Sequence, residues 1–339
     1  MKRTAVVTGG AGFIGSHLVT RLLAEGYDVR VIDNFATGRR KNLAHLAQEK
    51  QLAVLERDVA EASGLEQDFS GSDVIFHLAG LADIVPSIER PEAYYRANVS
   101  GTFNVMQAAR AAGVRRVLYA ASASCYGLPA VYPTPEGSPV TPRYPYALTK
   151  YLGECLVMHW GQVYGIDTTS LRLFNVYGPR SRTTGAYGAV FGVFLAQKLA
   201  GLPFTVVGDG SQTRDFTFVS DVVEAFFRAS LSARAAGEIM NVGSGNTYSV
   251  NRLVELLGGP VTYIPRRPGE PDQTFADVSK IEALLDWRAR VAFEDGVATM
   301  LAHIGDWCDA PVWNPESIEE ATRAGVTFLQ SATSVAGRG

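Results

Sequence analysis

Apolar residues in the first half of the chain fall into short β-rich runs, at Thr4–Val7, Val29–Ile32, Ala53–Leu55, Val74–Leu78, Arg116–Ala120 and Ser170–Phe174. Between most of them the apolar period lengthens to that of a helix, over Ser16–Glu25, Tyr94–Ala112 and Ala147–Tyr164. Strands alternating with helices in this way predict an α/β fold with a doubly wound parallel sheet of the Rossmann type, covered on both faces. In the third helix the expected core stripe is Leu148, Leu152, Cys155, Leu156 and His159, spaced at helical period. The rhythm loosens after Asn175, in the Gly- and Pro-rich YGPRSRTTGAYG. A helix near Val190–Ala200, a strand near Phe204–Val207, a helix near Asp221–Ser232 and a strand at Ile239–Val242 follow. The expected partition is a nucleotide-binding domain over 1–175 with returns near 216–243, a smaller mixed substrate domain from 176–215 and 244–330, and a frayed tail at 331–339.

Composition narrows the class. The 339 residues are 47% hydrophobic and 19% charged, which suits one large or two modest globular domains. A net charge of −3 without a polybasic run points away from nucleic-acid and membrane-surface partners. Cys125, Cys155 and Cys308 are far apart and odd in number, so they are expected as buried thiols of a reducing compartment and not as a disulfide or zinc framework. No run reaches the roughly 18 apolar residues of a membrane span. MKRTAVVTGG reads as a first strand and not as a signal peptide. A soluble, cytoplasmic protein without a metal is expected.

The segment VVTGGAGFIGSHL joins the first strand to the first helix, with Gly9, Gly12 and Gly15 spaced G-x-x-G-x-x-G. A tight turn, an open approach to pyrophosphate and close helix–strand packing all require glycine there, and the helix N-terminus offers its amides to an anion. Asp33 ends the second strand in VRVIDN, where a carboxylate binds ribose hydroxyls and repels a 2′-phosphate, favouring NAD over NADP. Arg39 and Arg40 follow closely and are the type of cation that would accept that phosphate. Asp58 in ERDV either holds the adenine edge or caps a loop. His17 and His77 have no metal-ligand partner at suitable spacing and are expected to be structural.

Ligands of such sheets sit at the carboxyl ends of the strands. There the fifth strand ends in ASASCYG, with Ser122 and Ser124, and YPYALTK (144–150) opens the next helix with Tyr146 and Lys150. A phenol is a weak base at its usual pKa of about 10. A lysine one turn on, with the charge of an oxidised nicotinamide, is expected to favour the phenolate. Ser122 would hydrogen-bond the reacting oxygen, Lys150 would hold a ribose, and Tyr146 would take a carbinol proton.

TGGAGFIGS, Asp33, HLAG, the serine before YG, YxxxK and RLFNVYGPR together resemble the extended short-chain dehydrogenases/reductases. Among these the chain is similar to the NAD-dependent nucleotide-sugar epimerases and dehydratases, from Met1 to about Ile304. The resemblance implies NAD held through the turnover and a homodimer packed through Tyr94–Ala112 and Ala147–Tyr164. It implies further cofactor contacts from Phe13, Ile14, Asn34, Val59, Leu78, Ala79 and Gly80. Asn98 resembles a helix asparagine that orders the active-site water and lysine. Asn175, Arg214 and Arg267 (beside Arg266) resemble the groups that bind a sugar-nucleotide diphosphate, whose acidic oxygens suit guanidinium. Ser87 resembles a sugar contact, and Thr274, aligned through RRPGE and ADVSK, falls at a sugar-pocket wall.

The family's dehydratases and uronate decarboxylases resemble one another in carrying an acid two residues after the catalytic Ser/Thr. Here Ala123 and Ser124 follow Ser122, and neither supplies a general acid. The expectation is therefore a 4-epimerase acting on a UDP-sugar. A 4,6-dehydratase or a UDP-uronate decarboxylase or epimerase is the alternative, and a non-catalytic NAD-sensing protein a more distant one.

Overall fold

The computed structural model describes residues 3–183, 190–266 and 271–323. The apolar runs form β1 (Thr4–Thr8), β2 (Asp28–Asp33), β3 (Leu52–Glu56), β4 (Val74–His77), β5 (Arg116–Ser122) and β6 (Asp167–Leu173). A seventh strand, β7 (Glu238–Val242), arrives late and pairs in parallel with β6, Met240 opposite Leu171. The strands lie in the order β7-β6-β5-β4-β1-β2-β3, all parallel. The order reverses between β1 and β4, which opens a crevice at their carboxyl ends.

The central strands are buried on both faces, as the unbroken apolar runs require. Helices α1 (Phe13–Ala24) and α2 (Leu65–Phe69) are followed by α3 (Ile84–Glu89), α4 (Pro91–Tyr95), α5 (Gly101–Ala111) and α6 (Pro145–Tyr164). Then come α7 (Val190–Leu199) and α8 (Val219–Leu231). Leu18 and Leu22 of α1 meet Val222 and Phe226 of α8 in the core on one face. Phe69, Val105, Met106 and Val157 fill the other. Beyond the sheet, Phe204–Val207 pairs in parallel with Val261–Ile264, over an aromatic core that includes Phe194, Phe204, Phe293 and Trp307.

Three expectations are corrected. The helix read as Tyr94–Ala112 is interrupted by a π-helical turn at Arg96–Ser100, an irregularity that buries Asn98 at 1% exposure and often marks a functional site. Cys125 is buried as expected, but Cys155 and Cys308 are exposed. Most tellingly, α6 turns the other way. Its buried residues are Ala147, Thr149, Lys150, Gly153, Glu154 and Val157, whereas Leu148, Cys155 and His159 are exposed and Leu152 and Leu156 half-buried.

Polar groups face the sheet because each has a partner. Arg172 on β6 donates from Nη2 to Glu154 Oε1 (2.6 Å) and from Nε to Oε2 (3.0 Å), and Ser170 adds a third bond at 2.8 Å. Removing one member leaves a buried charge alone. We expect Arg172→Met to lose about 3–5 kcal/mol of stability. Glu154→Gln combined with Arg172→Met should lose less than Arg172→Met alone in urea unfolding; an equal loss would show the pair uncoupled.

Candidate active site

A cleft of about 1000 Å³ opens at the carboxyl edge of the sheet. At one end the chain turns from β1 into α1 through Gly9, at φ 71°. A Cβ on Gly9 would lie 2.7 Å from Ala79 N, and one on Gly15 would lie 2.2 Å from Gly9 O. No larger residue fits at either position. The first turn of α1 carries no acid, so its free amides and the helix dipole present a positive end to the cleft.

Asp33 completes this turn, accepting from Ala11 N at 2.9 Å and Phe35 N at 2.8 Å. Burial pushes its carboxyl up while these amides hold it down. Gly9, Gly12, Phe13, Ile14, Gly15, Asp33, Asn34, Asp58, Val59, Leu78, Ala79 and Gly80 all line the cleft. Asp58 caps Ala60 N (2.9 Å), as one of its readings expects, and pairs with Arg96 (3.1 Å) on the cleft wall. Arg39 is committed elsewhere, donating to Arg180 O, Ser181 O, Thr183 Oγ1 and Asn42 Oδ1. Arg40 pairs with Glu56 over the Phe35 ring. Neither Arg39 nor Arg40 is among the residues that line the cleft. A glycine-walled turn with a buried carboxylate at its side fits a dinucleotide such as NAD.

At the other end, Ser122 closes β5. Its Oγ accepts from Tyr146 OH at 3.1 Å, lies 2.8 Å from Ser124 Oγ, and caps Ser124 N at 3.2 Å. Lys150 is buried on the same face of α6, its Nζ 4.3 Å from the centre of the Tyr119 ring. At Tyr146 burial acts against the phenolate. Burial holds its phenol above the usual value, and the Ser122 hydrogen bond only opposes this. Lys150 is lowered by burial to about 7, against the pull of Glu154 one turn on. A hydroxyl pair beside a lysine that titrates near neutrality can pass a proton to or from an alcohol.

Asn98 is off the cleft wall. Its Oδ1 accepts from Leu81 N (2.8 Å) and its Nδ2 donates to Leu81 O and Thr149 Oγ1 (both 3.0 Å). It thereby pins the turn after β4 against α6. Gly80 must be glycine here, since its Cβ would lie 2.7 Å from Asn98 Oδ1. His77 belongs to the same framework. Thr102 donates to Asn98 O, so its oxygen accepts from His77 Nε2 (2.9 Å) and Nδ1 accepts from Thr8 (2.7 Å). That neutral ring agrees with a pKa pushed down to about 3 by burial. His17 binds Pro179 O at 2.9 Å. Among the described residues no group of His, Cys, Asp and Glu could hold a metal ion.

Asn175, Arg214 and Thr274 line the wall facing the sheet, with Thr274 Oγ1 2.7 Å from Asn175 Oδ1. Ser87 is not there. It is fully buried, and its hydroxyl donates back to Ile84 O, as serines in short helices do. Arg267 lies outside the described residues, and neighbouring Arg266 pairs with Asp272 at 2.9 Å. Sequence reasoning missed the Asp83–Arg182 ion pair (2.5 Å) on the cleft wall. Its members are 99 residues apart, in loops with no periodic signal.

The chain matches the model of a family described as the NAD dependent epimerase/dehydratase family over residues 5–243. It is 38% identical over 302 residues to a UDP-glucose 4-epimerase of Mycolicibacterium smegmatis, covering 86% of this chain and 96% of that protein. It is 34% identical over 308 residues to UDP-glucuronic acid decarboxylase 1 of Arabidopsis thaliana, covering 88% of this chain and 68% of that one. Among solved structures it superimposes on a UDP-N-acetylglucosamine 4-epimerase from Methanobrevibacter ruminantium, in complex with UDP-N-acetylmuramic acid, with a TM-score of 0.85. That pair is 30% identical and covers 90% of this chain and 99% of the other.

Freshly purified protein should release NAD(H), and little NADP(H), when denatured. Gly15→Ala should release almost none, because the added methyl collides with Gly9 O. Chromatography of the released nucleotide checks both, and retention of NAD by Gly15→Ala would remove this turn from the binding site.

Proposed function

The chain belongs to the NAD dependent epimerase/dehydratase family, and on that premise we propose that it is a nucleotide-sugar 4-epimerase acting on a UDP-hexose or UDP-N-acetylhexosamine. The observation that carries this reading is the chemistry around Ser122. Ala123 and Ser124 line the cleft beside it, and the Ser124 hydroxyl is already bonded to Ser122. Elimination or decarboxylation-linked chemistry in this family calls on further acids at that place, whereas epimerisation needs only one proton relay. Asp83 is the one feature that favours a dehydratase or decarboxylase with a displaced acid, since its charge reaches Tyr146. Its carboxylate is engaged by Arg182, which argues against that role.

In this reading Tyr146 takes the proton of the sugar C4 hydroxyl, with Ser122 holding the same oxygen in line. When bound, NAD would supply the redox chemistry, a reversible hydride transfer at the sugar carbon. Gly9, Gly12, Gly15 and Asp33 would hold the cofactor, Asn34, Asp58, Val59 and Leu78–Gly80 would border it, and Lys150 would bind its ribose. Burial disfavours a free phenolate at Tyr146, so the ammonium form of Lys150 has to favour it as the proton leaves. The ketone formed at C4 would turn over within the cleft and take hydride back on its opposite face, while Tyr146 returns the proton to the C4 oxygen. Asn175, Arg214 and Arg267 bind the diphosphate, and the parts of the chain over 176–215 and 244–330 hold the sugar nucleotide against the sheet.

We further propose a cytoplasmic homodimer. Among the described residues no helix is long and apolar enough to cross a membrane. Support for the dimer comes from the outward side of α4, α5 and α6, where Tyr95, Phe103, Leu148, Val163 and Tyr164 are 41–54% exposed.

Tyr146→Phe should keep its fold and NAD yet lose roughly 10²–10⁴-fold in kcat, while Tyr144→Phe, stacked on it but with no lysine at i+4, should lose far less. Equal activity in both variants would refute the proton-transfer role. Mass spectrometry of the product should find a C4 epimer of unchanged mass; loss of water or of carbon dioxide would instead identify a dehydratase or a decarboxylase. Filling the pocket with Thr274→Tyr should lower kcat/KM for UDP-N-acetylglucosamine more than for UDP-glucose, and equal effects would remove Thr274 from size selection.

A further inference from the structure

Thr274 does more than leave room. Its backbone N–H donates to Thr213 O (3.1 Å), and its hydroxyl oxygen accepts from Asp215 N (3.0 Å). It therefore grips the residues on both sides of Arg214. The hydroxyl proton goes to Asn175 Oδ1 at 2.7 Å, a distance typical of O–H···O and short for N–H···O. The carbonyl end of the Asn175 amide thus faces Thr274. Its Nδ2 is left exposed on the cleft wall with no hydrogen-bond partner among the described residues.

That orientation matters for an anion. A diphosphate offers only acceptor oxygens, so the amide helps when it presents N–H and repels when it presents C=O. An asparagine free to rotate would offer both. We propose that Thr274 is a positioning residue for the substrate diphosphate: its hydroxyl fixes the Asn175 amide with Nδ2 toward the anionic oxygens. The same hydroxyl oxygen accepts from Asp215 N, next to Arg214. This inference rests on the reading of Asn175 as a diphosphate donor and assigns Thr274 a hydrogen-bonding duty distinct from pocket size.

Isothermal titration with UDP tests it on purified protein, with retained NAD as the control for an intact fold. Thr274→Val keeps the side-chain volume and removes the hydroxyl. Losing one well-placed bond and the fixed amide should raise the Kd for UDP about tenfold, and Thr274→Ser should restore it. Asn175→Ala should weaken UDP similarly, and adding Thr274→Val to it should cost less than a further twofold. Asn175→Asp gives a second reading even where Thr274→Val fails to fold. It keeps an oxygen toward Thr274 and places another where Nδ2 was, so it should bind UDP more weakly than Asn175→Ala. Parent-like binding by Thr274→Val, fully multiplicative effects in the double variant, or equal binding by Asn175→Asp and Asn175→Ala would each overturn the proposal. Parent-like binding by Asn175→Ala would overturn the diphosphate role of Asn175 along with it, and a parent protein that binds no nucleoside diphosphate would overturn the functional reading itself.

Discussion

The buried pair of Glu154 and Arg172 joins four parts of the molecule at one point. Arg172 sits on β6, holds Glu154 of α6, and turns Nη1 to the Tyr126 hydroxyl and the Glu136 carbonyl. Tyr126 donates in turn to Asn241 on β7. Desolvating both charges is expensive, and such a pair adds little net stability over a well-packed apolar one. What it provides here is rotation. With Glu154 anchored beneath the sheet edge, α6 must present Lys150 and Tyr146, one and two turns earlier, to the same side. Were the leucine stripe to face inward, both would leave the cleft and Ser122 would lose its partner.

The cofactor end is built on the same rule, that groups facing a ligand are first fixed by the framework. Asp33 is held by two backbone amides on the cleft wall. Arg39 spends its donors on residues 180–183, far along the chain. His77, which ends β4, lies between two threonine hydroxyls, and burial keeps its ring neutral. Each polar side chain is immobilised by a neighbour on a different element, which lets a site assembled from loops keep its shape.

The sheet was legible because its strands are buried on both faces and read as unbroken apolar runs, and the glycine turn because its steric demand leaves one residue type. Asp33, Ser122, Tyr146 and Lys150 stood at strand ends or helix starts, where spacing alone brings them near one another. Long-range pairing was not legible. Nothing in the sequence around Leu148 shows that a glutamate 18 residues before an arginine will be buried with it, so the apolar stripe was assigned to the core. Ser87 fell to a local contest: its hydroxyl found a carbonyl three residues back before it could reach a ligand. Asp83 and Arg182 meet only because two loops converge.

The late arrival of β7 decides how this chain can be divided. A cut after residue 175 would strip β7 from the sheet, uncover the hydrogen-bonding edge of β6 along Thr169–Leu173, and take away the Asn241 that Tyr126 needs. A cut after residue 243 would keep β7 but sever Phe204–Val207 from its partner Val261–Ile264. The part of the chain that opens the sheet is therefore not a cassette that can be transplanted onto another C-terminal part. New specificities in a chain interleaved this way have to be grafted residue by residue into the existing cleft.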